Sequence, residues 1–162
     1  MNAGTATKCC LCLTVAAMLA ARWTARGASA PLDTGFKVQS WDTEDGLPEA
    51  AINALARTPD GYLWLGTSAG LVRFDGVRFV TLTTSLAPEL GDDRISSLLT
   101  ETNGGLWIGT QNGTLVRRQG AAFVPVSLDP RLRGVSINSM EPAREGGLWL
   151  ATTGWGLGGV NK

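Results

Sequence analysis

INALARTPDGYLWLGTSAGLVRFDGVRFVTL, residues 52–82, is the first of three copies of one pattern. ISSLLTETNGGLWIGTQNGTLVRRQGAAFVPV, residues 95–126, and INSMEPAREGGLWLATTGWGLGGVNK, residues 137–162, are the other two. Trp64, Trp107 and Trp149 recur at intervals of 43 and 42 residues, and an isoleucine that opens each copy keeps the same intervals. A fixed period of this length indicates a repeat architecture such as a solenoid or a propeller.

Other anchors of the pattern keep the same order. Each tryptophan is followed two residues later by a very small residue and then by threonine; the equivalent positions are Gly66, Gly109 and Ala151, then Thr67, Thr110 and Thr152. Phe79 and Phe123 lie 44 residues apart, so the second copy has one extra residue, which we place near Thr114. Agreement in both order and spacing makes the repeat the strongest signal in the sequence.

Each copy divides into short strand-like segments separated by turn residues. In the first copy the predicted strands are residues 52–57, 63–67, 71–74 and 78–82. Asp75-Gly76 between the last two suits a tight hairpin turn, where glycine supplies the positive φ. Four short antiparallel strands in about 43 residues are typical of one propeller blade. We therefore predict an all-β chain with a partial β-propeller of about two and two-thirds blades.

The predicted organisation follows from the repeat. Residues 1–30 are interpreted as a signal peptide, 31–50 as an N-terminal strand and linker, 51–93 as blade 1, 94–134 as blade 2, and 135–162 as a truncated blade 3. The strand, predicted over 36–41, would complete the last blade of a closed ring. Two and two-thirds blades cannot close a ring, so the sequence predicts open sheet edges and an isolated chain that is unstable or sticky.

The small residues and the tryptophans suggest how blades stack. In the first strand, Ile52, Ala54 and Ala56 share one face, because successive side chains alternate between faces. Small residues on that face suit a strand that is crowded between neighbouring sheets. The preferred interpretation of the three repeat tryptophans is packing between blades. The alternative is stacking against a carbohydrate.

Composition excludes several classes of function. Histidine is absent, so the chain has no imidazole general base, metal ligand or phosphorylation site. Cys9, Cys10 and Cys12 all lie in the first 30 residues, so the body has no thiolate metal site or disulfide. The same segment holds three of the 14 basic residues and no acid, which leaves the body with a net charge of −3 and argues against a nucleic-acid partner. No metal, cofactor or catalytic residue is predicted.

The first 30 residues follow the pattern of a secretory signal peptide. Lys8 precedes an apolar run over 9–21, and Ala28-Ser29-Ala30 is suited to cleavage after Ala30. Pro31 after the cut, and arginines between the apolar run and the cut, are unusual for such peptides. An uncleaved anchor and a misplaced start codon remain alternatives. The segment predicts export from the cytoplasm.

Several motifs have a plainer explanation than chemistry. Residues 154–159 satisfy the G-x-G-x-x-G spacing, but they fall in a repeat turn with no helix after it. The acid pairs Glu44-Asp45 and Asp92-Asp93 lie in linkers, where solvated acids are common. Arginines of the outer strands are interpreted as solubilising; they are Arg73, Arg78, Arg117 and Arg118. Trp155 lies in the third copy outside the repeat scheme and is a candidate for ligand binding, with irregular packing as the alternative.

The repeat resembles a known family. WDTEDGLP (residues 41–48), GYLWLGT (61–67) and GLVRFDG (70–76) are similar to the opening and the repeat of two-component regulator propellers, and the resemblance extends over about residues 36–162. It implies a periplasmic or extracellular sensor domain of an inner-membrane receptor, dimeric at full length, that binds a carbohydrate or another extracellular ligand. It also implies further blades, a membrane helix and an output module, a histidine kinase or a diguanylate cyclase, in the parent protein.

Two other classes of function stay open at this point. One is a secreted propeller enzyme, a lyase or a glycan hydrolase, which would need convergent catalytic groups. The chain offers a single tyrosine, Tyr62, and no histidine for that purpose. The other is a scaffold that binds proteins through its faces. The sequence favours binding without catalysis in this fragment.

Overall fold

The computed structural model describes Gly35 and residues 37–144 and 146–161 of the 162-residue chain. The predicted signal peptide and its cysteines lie outside the described residues. Contacts divide the chain into residues 1–39 and 40–162, and every blade belongs to the second unit. No helix in the described part of the chain is long and apolar enough to cross a membrane.

Blade 1 is a four-stranded antiparallel sheet in which each strand pairs with the next along the chain. Its strands are β1 (Ala54–Arg57), β2 (Leu63–Thr67), β3 (Gly70–Phe74) and β4 (Phe79–Leu82). Exposure alternates along β1, so that Ala54 and Ala56 share the more buried face, as the sequence predicts.

Blade 2 repeats the same order with β5 (Ile95–Thr100), β6 (Leu106–Thr110), β7 (Leu115–Gln119) and β8 (Ala122–Val126). The extra residue of this copy lies in the β6–β7 hairpin. Gly109 pairs with Leu115 in blade 2, whereas Gly66 pairs with Leu71 in blade 1, so the second turn is one residue longer. The prediction for this insertion is confirmed.

Blade 3 has three strands, β9 (Ile137–Pro142), β10 (Gly147–Thr152) and β11 (Gly156–Asn161), in the order β11-β10-β9. The first strands of blades 2 and 3 have a β-bulge at the same position. Ile95 pairs with Thr110, and Ile137 pairs with Thr152; in both strands the residue after the isoleucine is left out of the pairing. The all-β partial propeller predicted from the sequence is confirmed.

The first strands of successive blades pack side by side, and the core lies between the blades. One apolar cluster joins blades 1 and 2 and includes Trp64, Leu71, Ile95 and Leu106. A second joins blades 2 and 3 and includes Leu115, Ile137, Leu148 and Leu150. Each blade buries itself mainly against its neighbours, as expected for stacked repeats.

Short 3₁₀ turns and irregular segments connect these elements. The turns are Thr43–Asp45, Pro88–Leu90 and Pro130–Leu132. Residues 37–42 form no strand, which differs from the sequence prediction for 36–41. A β-strand is formed by backbone hydrogen bonds to a neighbouring strand. None of the three described sheets pairs with this segment. Its predicted role in completing a last blade stays a prediction.

The outer face of blade 1 is covered by the linker that precedes it. Leu47 packs into an apolar cluster with Leu65, Val72 and Phe74. The ring of Trp41 meets Phe74 edge-on, with 5.2 Å between ring centroids. Trp41-Asp42 therefore belongs to the cover of blade 1.

Candidate functional site

The three repeat tryptophans occupy one position, near the start of the second strand, and the rings of Trp64 and Trp107 face the following blade. Trp64 is 1% exposed and lies between blades 1 and 2. Its indole Nε1 donates to Thr58 Oγ1 at 2.9 Å, and the guanidinium of Arg118 from blade 2 lies 4.6 Å from the ring centroid. Trp64 is thus a packing residue whose polar edge and ring face are both satisfied.

Trp107 lies at the same position in blade 2 but is only half buried. Its Nε1 donates to Glu101 Oε1 at 2.6 Å. Glu101 also accepts from Arg117 Nη2 at 2.6 Å, and the Arg117 guanidinium lies 5.3 Å from the Trp107 ring centroid. The three side chains form a charged network at the edge of the interface between blades 2 and 3.

The network keeps Glu101 ionised. Burial opposes its negative charge, but the hydrogen bonds from Arg117 and Trp107 outweigh that effect and lower the pKa of the carboxyl below its ordinary value of 4.5. Gly105 leaves room for the carboxylate, since a Cβ there would lie 2.5 Å from Glu101 Oε2. Glu101 and Arg117 are therefore held as a neutral ion pair.

A cleft of about 400 Å³ opens beside this network, between blades 2 and 3; we call it the Trp107 cleft. Apolar side chains line most of it, namely Leu99, Trp107, Val126, Leu148 and Val160. Its polar lining consists of Thr100, Glu101, Thr102, Asn103, Arg117 and Asn161. Val160 in β11 is equivalent to Arg118 in β7. Each directly follows, along its strand, the residue that pairs with the repeat tryptophan of the same blade. The smaller side chain leaves Trp107 less covered than Trp64.

Trp149 lies on the outer face of blade 3. It is 48% exposed, and its ring lies over Gly159, where a Cβ would approach the ring to 3.3 Å. Leu157 and Ala151 pair with each other on the same face and are also exposed. Among the described residues no further blade packs against Trp149. The packing role predicted for this tryptophan therefore stays a prediction.

The small residue of the repeat permits close approach of the next blade. A Cβ at Gly66 would lie 2.8 Å from Ile95 Cγ2, and one at Gly109 would lie 2.9 Å from Ile137 Cγ2. The isoleucine that opens each copy therefore packs directly on the glycine of the copy before it. The threonine that follows closes a turn: Thr67 donates to Gly70 O at 2.9 Å, Thr110 to Thr114 O at 3.1 Å, and Thr152 to Gly156 O at 2.9 Å.

Trp155, the weak ligand candidate, is half buried at the tip of the β10–β11 hairpin. Its ring packs over Gly158, and the Arg131 guanidinium lies 5.7 Å from the ring centroid. Arg131 in turn binds Asp129, and its hydrogen bonds lower the pKa of that carboxyl to about 2. A second cleft of about 290 Å³ lies beside Trp155, and the structure does not bring this residue into the Trp107 cleft.

The glycine-rich segment 154–159 is therefore a hairpin and a strand. Of the three glycines in the G-x-G-x-x-G spacing, Gly154 and Gly156 adopt positive φ at the hairpin, and Gly159 makes room for the Trp149 ring. No group of three or more metal-binding side chains occurs among the described residues.

The acidic residues of the two linkers bind groups of the linkers and turns around them. Asp45 and Asp42 cap the 3₁₀ turn at Thr43–Asp45 reciprocally. Asp93 Oδ1 accepts from the backbone N–H of Thr84 at 2.6 Å, and Asp92 pairs with Arg94. Neither pair forms a carboxylate dyad that faces a cleft.

Sequence reasoning missed Glu101 and misjudged two arginines. Arg118 is buried over Trp64, and Arg117 pairs with Glu101, so neither is merely a solubilising residue. One sequence signal was available: Thr58 and Glu101 both lie six residues before a repeat tryptophan, and both accept its indole hydrogen bond.

Comparisons with known proteins agree with this architecture. Residues 46–69 and 89–112 match the family model described as Two component regulator propeller, so the resemblance stated from the sequence is confirmed. No curated protein matches the sequence of this chain.

Solved structures with a similar fold include two extracellular domains of hybrid two component systems from B. thetaiotaomicron. One is 26% identical, with a TM-score of 0.65 over 80% of this chain and 18% of that chain. The other is 18% identical, with a TM-score of 0.63 over 76% of this chain and 18% of that one. Virginiamycin B lyase from Staphylococcus aureus shares the fold at 13% identity and a TM-score of 0.51, over 68% of this chain and 38% of the lyase. The chain thus spans about a fifth of the two-component domains it matches.

Proposed function

We propose that this chain forms part of the extracytoplasmic sensor of a transmembrane two-component signalling receptor, and that its propeller binds a ligand without transforming it. The observation that carries the proposal is the match of residues 46–69 and 89–112 to two-component regulator propellers. These residues include β1–β2 of blade 1 and the equivalent strands of blade 2, up to the repeat threonines. The similar extracellular domains of hybrid systems support the same assignment.

The proposed mechanism is a population shift. A carbohydrate or another extracellular ligand would favour one arrangement of a dimeric ectodomain, and a membrane helix would pass that arrangement to a kinase or cyclase. Such a ligand changes the equilibrium only by its difference in affinity for the two arrangements. The membrane helix, the output module and the location of the parent protein in the inner membrane are parts of the proposal.

Export is tested with a reporter enzyme that is active only outside the cytoplasm, fused after residue 162. We expect activity from the full chain and loss of activity when residues 2–30 are deleted, because that segment carries the export pattern. Equal reporter activity with and without the segment would contradict the extracytoplasmic assignment.

The receptor context is tested on the gene. We expect the reading frame beyond residue 162 to encode further copies of the repeat, a hydrophobic stretch of about 20 residues, and a kinase or cyclase module. A stop codon after a complete ring, with acids clustered in the added blades, would instead support a secreted propeller enzyme.

Binding without turnover is tested on the purified full chain. It is incubated with a panel of oligosaccharides, which are then examined by mass spectrometry, while thermal stability reports binding. We expect every oligosaccharide to remain intact. Conversion of any of them would overturn the non-catalytic part of the proposal.

A further inference from the structure

We propose that Arg73 of blade 1 and Arg118 of blade 2 form a site for the carboxylate group of a small ligand; we call it the paired-arginine site. It lies at the interface between blades 1 and 2, each of which has all four of its strands. The inference concerns the chemistry of this interface and holds whether or not the chain belongs to a signalling receptor. It therefore goes beyond the proposed sensing function.

The first observation is that Arg118 is a nearly buried cation with little compensation. The residue is 8% exposed, and its guanidinium lies over the Trp64 ring. Its ion pair with Asp60 is 3.8 Å long, from Nη2 to Oδ2, which is beyond hydrogen-bond distance. To no residue in the described part of the chain does the guanidinium donate a hydrogen bond, yet its nitrogen atoms are not sealed from solvent. A charge in this state favours an added anion, because a buried ion is costly unless it is paired and hydrogen-bonded.

The second observation is that Arg73 directs another guanidinium to the same face of blade 1. Arg73 pairs with Trp64 between β2 and β3, so both side chains lie on the side that faces blade 2. The Arg73 guanidinium lies 4.5 Å from the ring centroid of Tyr62, which packs against the same apolar cluster as Trp64. Within residues 37–144 and 146–161, Arg73 makes no hydrogen bond and no ion pair. Two guanidinium groups therefore lie over neighbouring aromatic rings with N–H groups left for an anion.

The third observation is that blade 2 carries its own carboxylate at the equivalent place. Arg117 is the counterpart of Arg73, because each pairs with the repeat tryptophan of its blade. Arg117 Nη2 donates to Glu101 Oε2 at 2.6 Å. In blade 1 the residue equivalent to Glu101 is Thr58, which has no charge and already accepts the indole hydrogen bond of Trp64. A ligand carboxylate beside Arg73 would therefore take the part that Glu101 takes in blade 2.

The charge of the paired-arginine site suits a monovalent anion. Arg73 and Arg118 contribute two positive charges, and Asp60 contributes one negative charge through its long ion pair. One positive charge remains, which a carboxylate neutralises and a divalent phosphate exceeds. The planar guanidinium also matches a carboxylate, since two parallel N–H groups donate to its two oxygens. The structure therefore favours a carboxylate over a phosphate at this interface.

The test follows the arginine Nε–H signals of the purified full chain by NMR while sodium glucuronate is added at constant ionic strength. We expect saturable shifts for Arg73 and Arg118, and none with glucose, which lacks the carboxylate. Sodium acetate is titrated separately: tighter binding of glucuronate identifies a sugar acid as the source of the carboxylate, and equal affinity identifies a simple organic acid. Either result supports the site. Absence of saturation with both carboxylates, or tighter binding of inorganic phosphate, would overturn the proposal.

Matched variants locate the site. Arg73→Gln should weaken glucuronate binding about tenfold, as expected for loss of hydrogen bonds to a charged group. Arg78→Gln removes the same charge from the exposed turn between β3 and β4 and should leave the affinity unchanged. Asp60→Asn removes the competing carboxylate, while its amide oxygen can still accept the hydrogen bond from Thr58, so it should raise the affinity about twofold to fivefold.

The Asp60→Asn variant separates a binding site from a structural ion pair. A purely structural contact predicts lower stability and no gain in affinity, whereas a ligand site predicts tighter binding. A circular dichroism spectrum shows whether each variant keeps its sheets. Equal losses in the two folded arginine variants, or a folded Asp60→Asn variant without the gain, would contradict the assignment.

Discussion

The interface between blades 1 and 2 and the outer face of blade 3 carry the same repeat residue in opposite environments. Trp64 is 1% exposed and Trp149 is 48% exposed, although each lies near the start of the second strand of its blade. Arg118, which covers the Trp64 ring, comes from the next blade. Burial of the repeat tryptophan is therefore a property of two adjacent blades and not of one blade alone.

The small residue of the repeat also has different surroundings at the interface between blades 1 and 2 and on the outer face of blade 3. Gly66 lies under Ile95 of the next blade with no room for a methyl group, whereas Ala151 at the equivalent position is exposed. Among the described residues no blade packs on Ala151. The requirement for glycine at position 66 therefore arises from the interface with the next blade.

The largest expected effect is that of Trp64→Ala. Removing a fully buried tryptophan leaves a cavity between blades 1 and 2 and also leaves Thr58 and Arg118 without the indole. We expect a loss of about 3–5 kcal/mol in the free energy of unfolding, measured by chemical denaturation. A loss below about 1 kcal/mol would show that the interface contributes less than its burial suggests.

A smaller effect is expected for Gly66→Ala. The added methyl group would meet Ile95 Cγ2 at 2.8 Å, so the blades must separate or Ile95 must change rotamer. We expect a loss of about 1–3 kcal/mol from overpacking. Ala151→Gly is the matched control at the free face and should cost about 0.5–1 kcal/mol through backbone entropy alone. Equal effects at the two positions would contradict the interface explanation.

The comparison also shows what the sequence could predict. The period, the turn residues and the alternation in β1 are local features, so they predict the four strands of a blade to within two residues. The second-copy insertion follows from the phenylalanine offset, and the structure places it in the β6–β7 hairpin. These features need no knowledge of the neighbouring blade.

Features that depend on contacts between blades were not predictable in the same way. The repeat glycine is required by the isoleucine of the next blade, and the spacing within one copy does not show that contact. The Trp107 cleft lies where Val160 of the third copy takes the position that Arg118 has in the second copy, and where Glu101 binds Arg117 across its own sheet. Val160 and Trp107 line the same cleft but lie far apart in sequence, and a period alone does not bring them together.

Glu101→Gln tests the charged network between blades 2 and 3. The pKa of Glu101 is lower in the folded chain than its ordinary value of 4.5, so ionised Glu101 stabilises the fold above that pH. This stabilisation is lost as pH falls through the folded-state pKa. We expect the variant to lose about 1 kcal/mol at pH 7 and to approach the parent chain in stability at low pH. Thermal unfolding at pH 7 and at decreasing pH measures both effects; a constant difference across that range would contradict the assignment.

The smallest effect is expected for Trp149→Ala, the counterpart of Trp64→Ala. About half of the Trp149 side chain is exposed, and its main described contact is with Gly159 on the same blade, so truncation opens no cavity between blades. We expect a loss below about 1 kcal/mol, within the range of surface substitutions, by the same denaturation measurement. A loss comparable to that of Trp64→Ala would mean that the outer face of blade 3 is covered in solution. In that case burial at the two positions would be equal, and the contrast between interface and free face would not hold for the protein in solution.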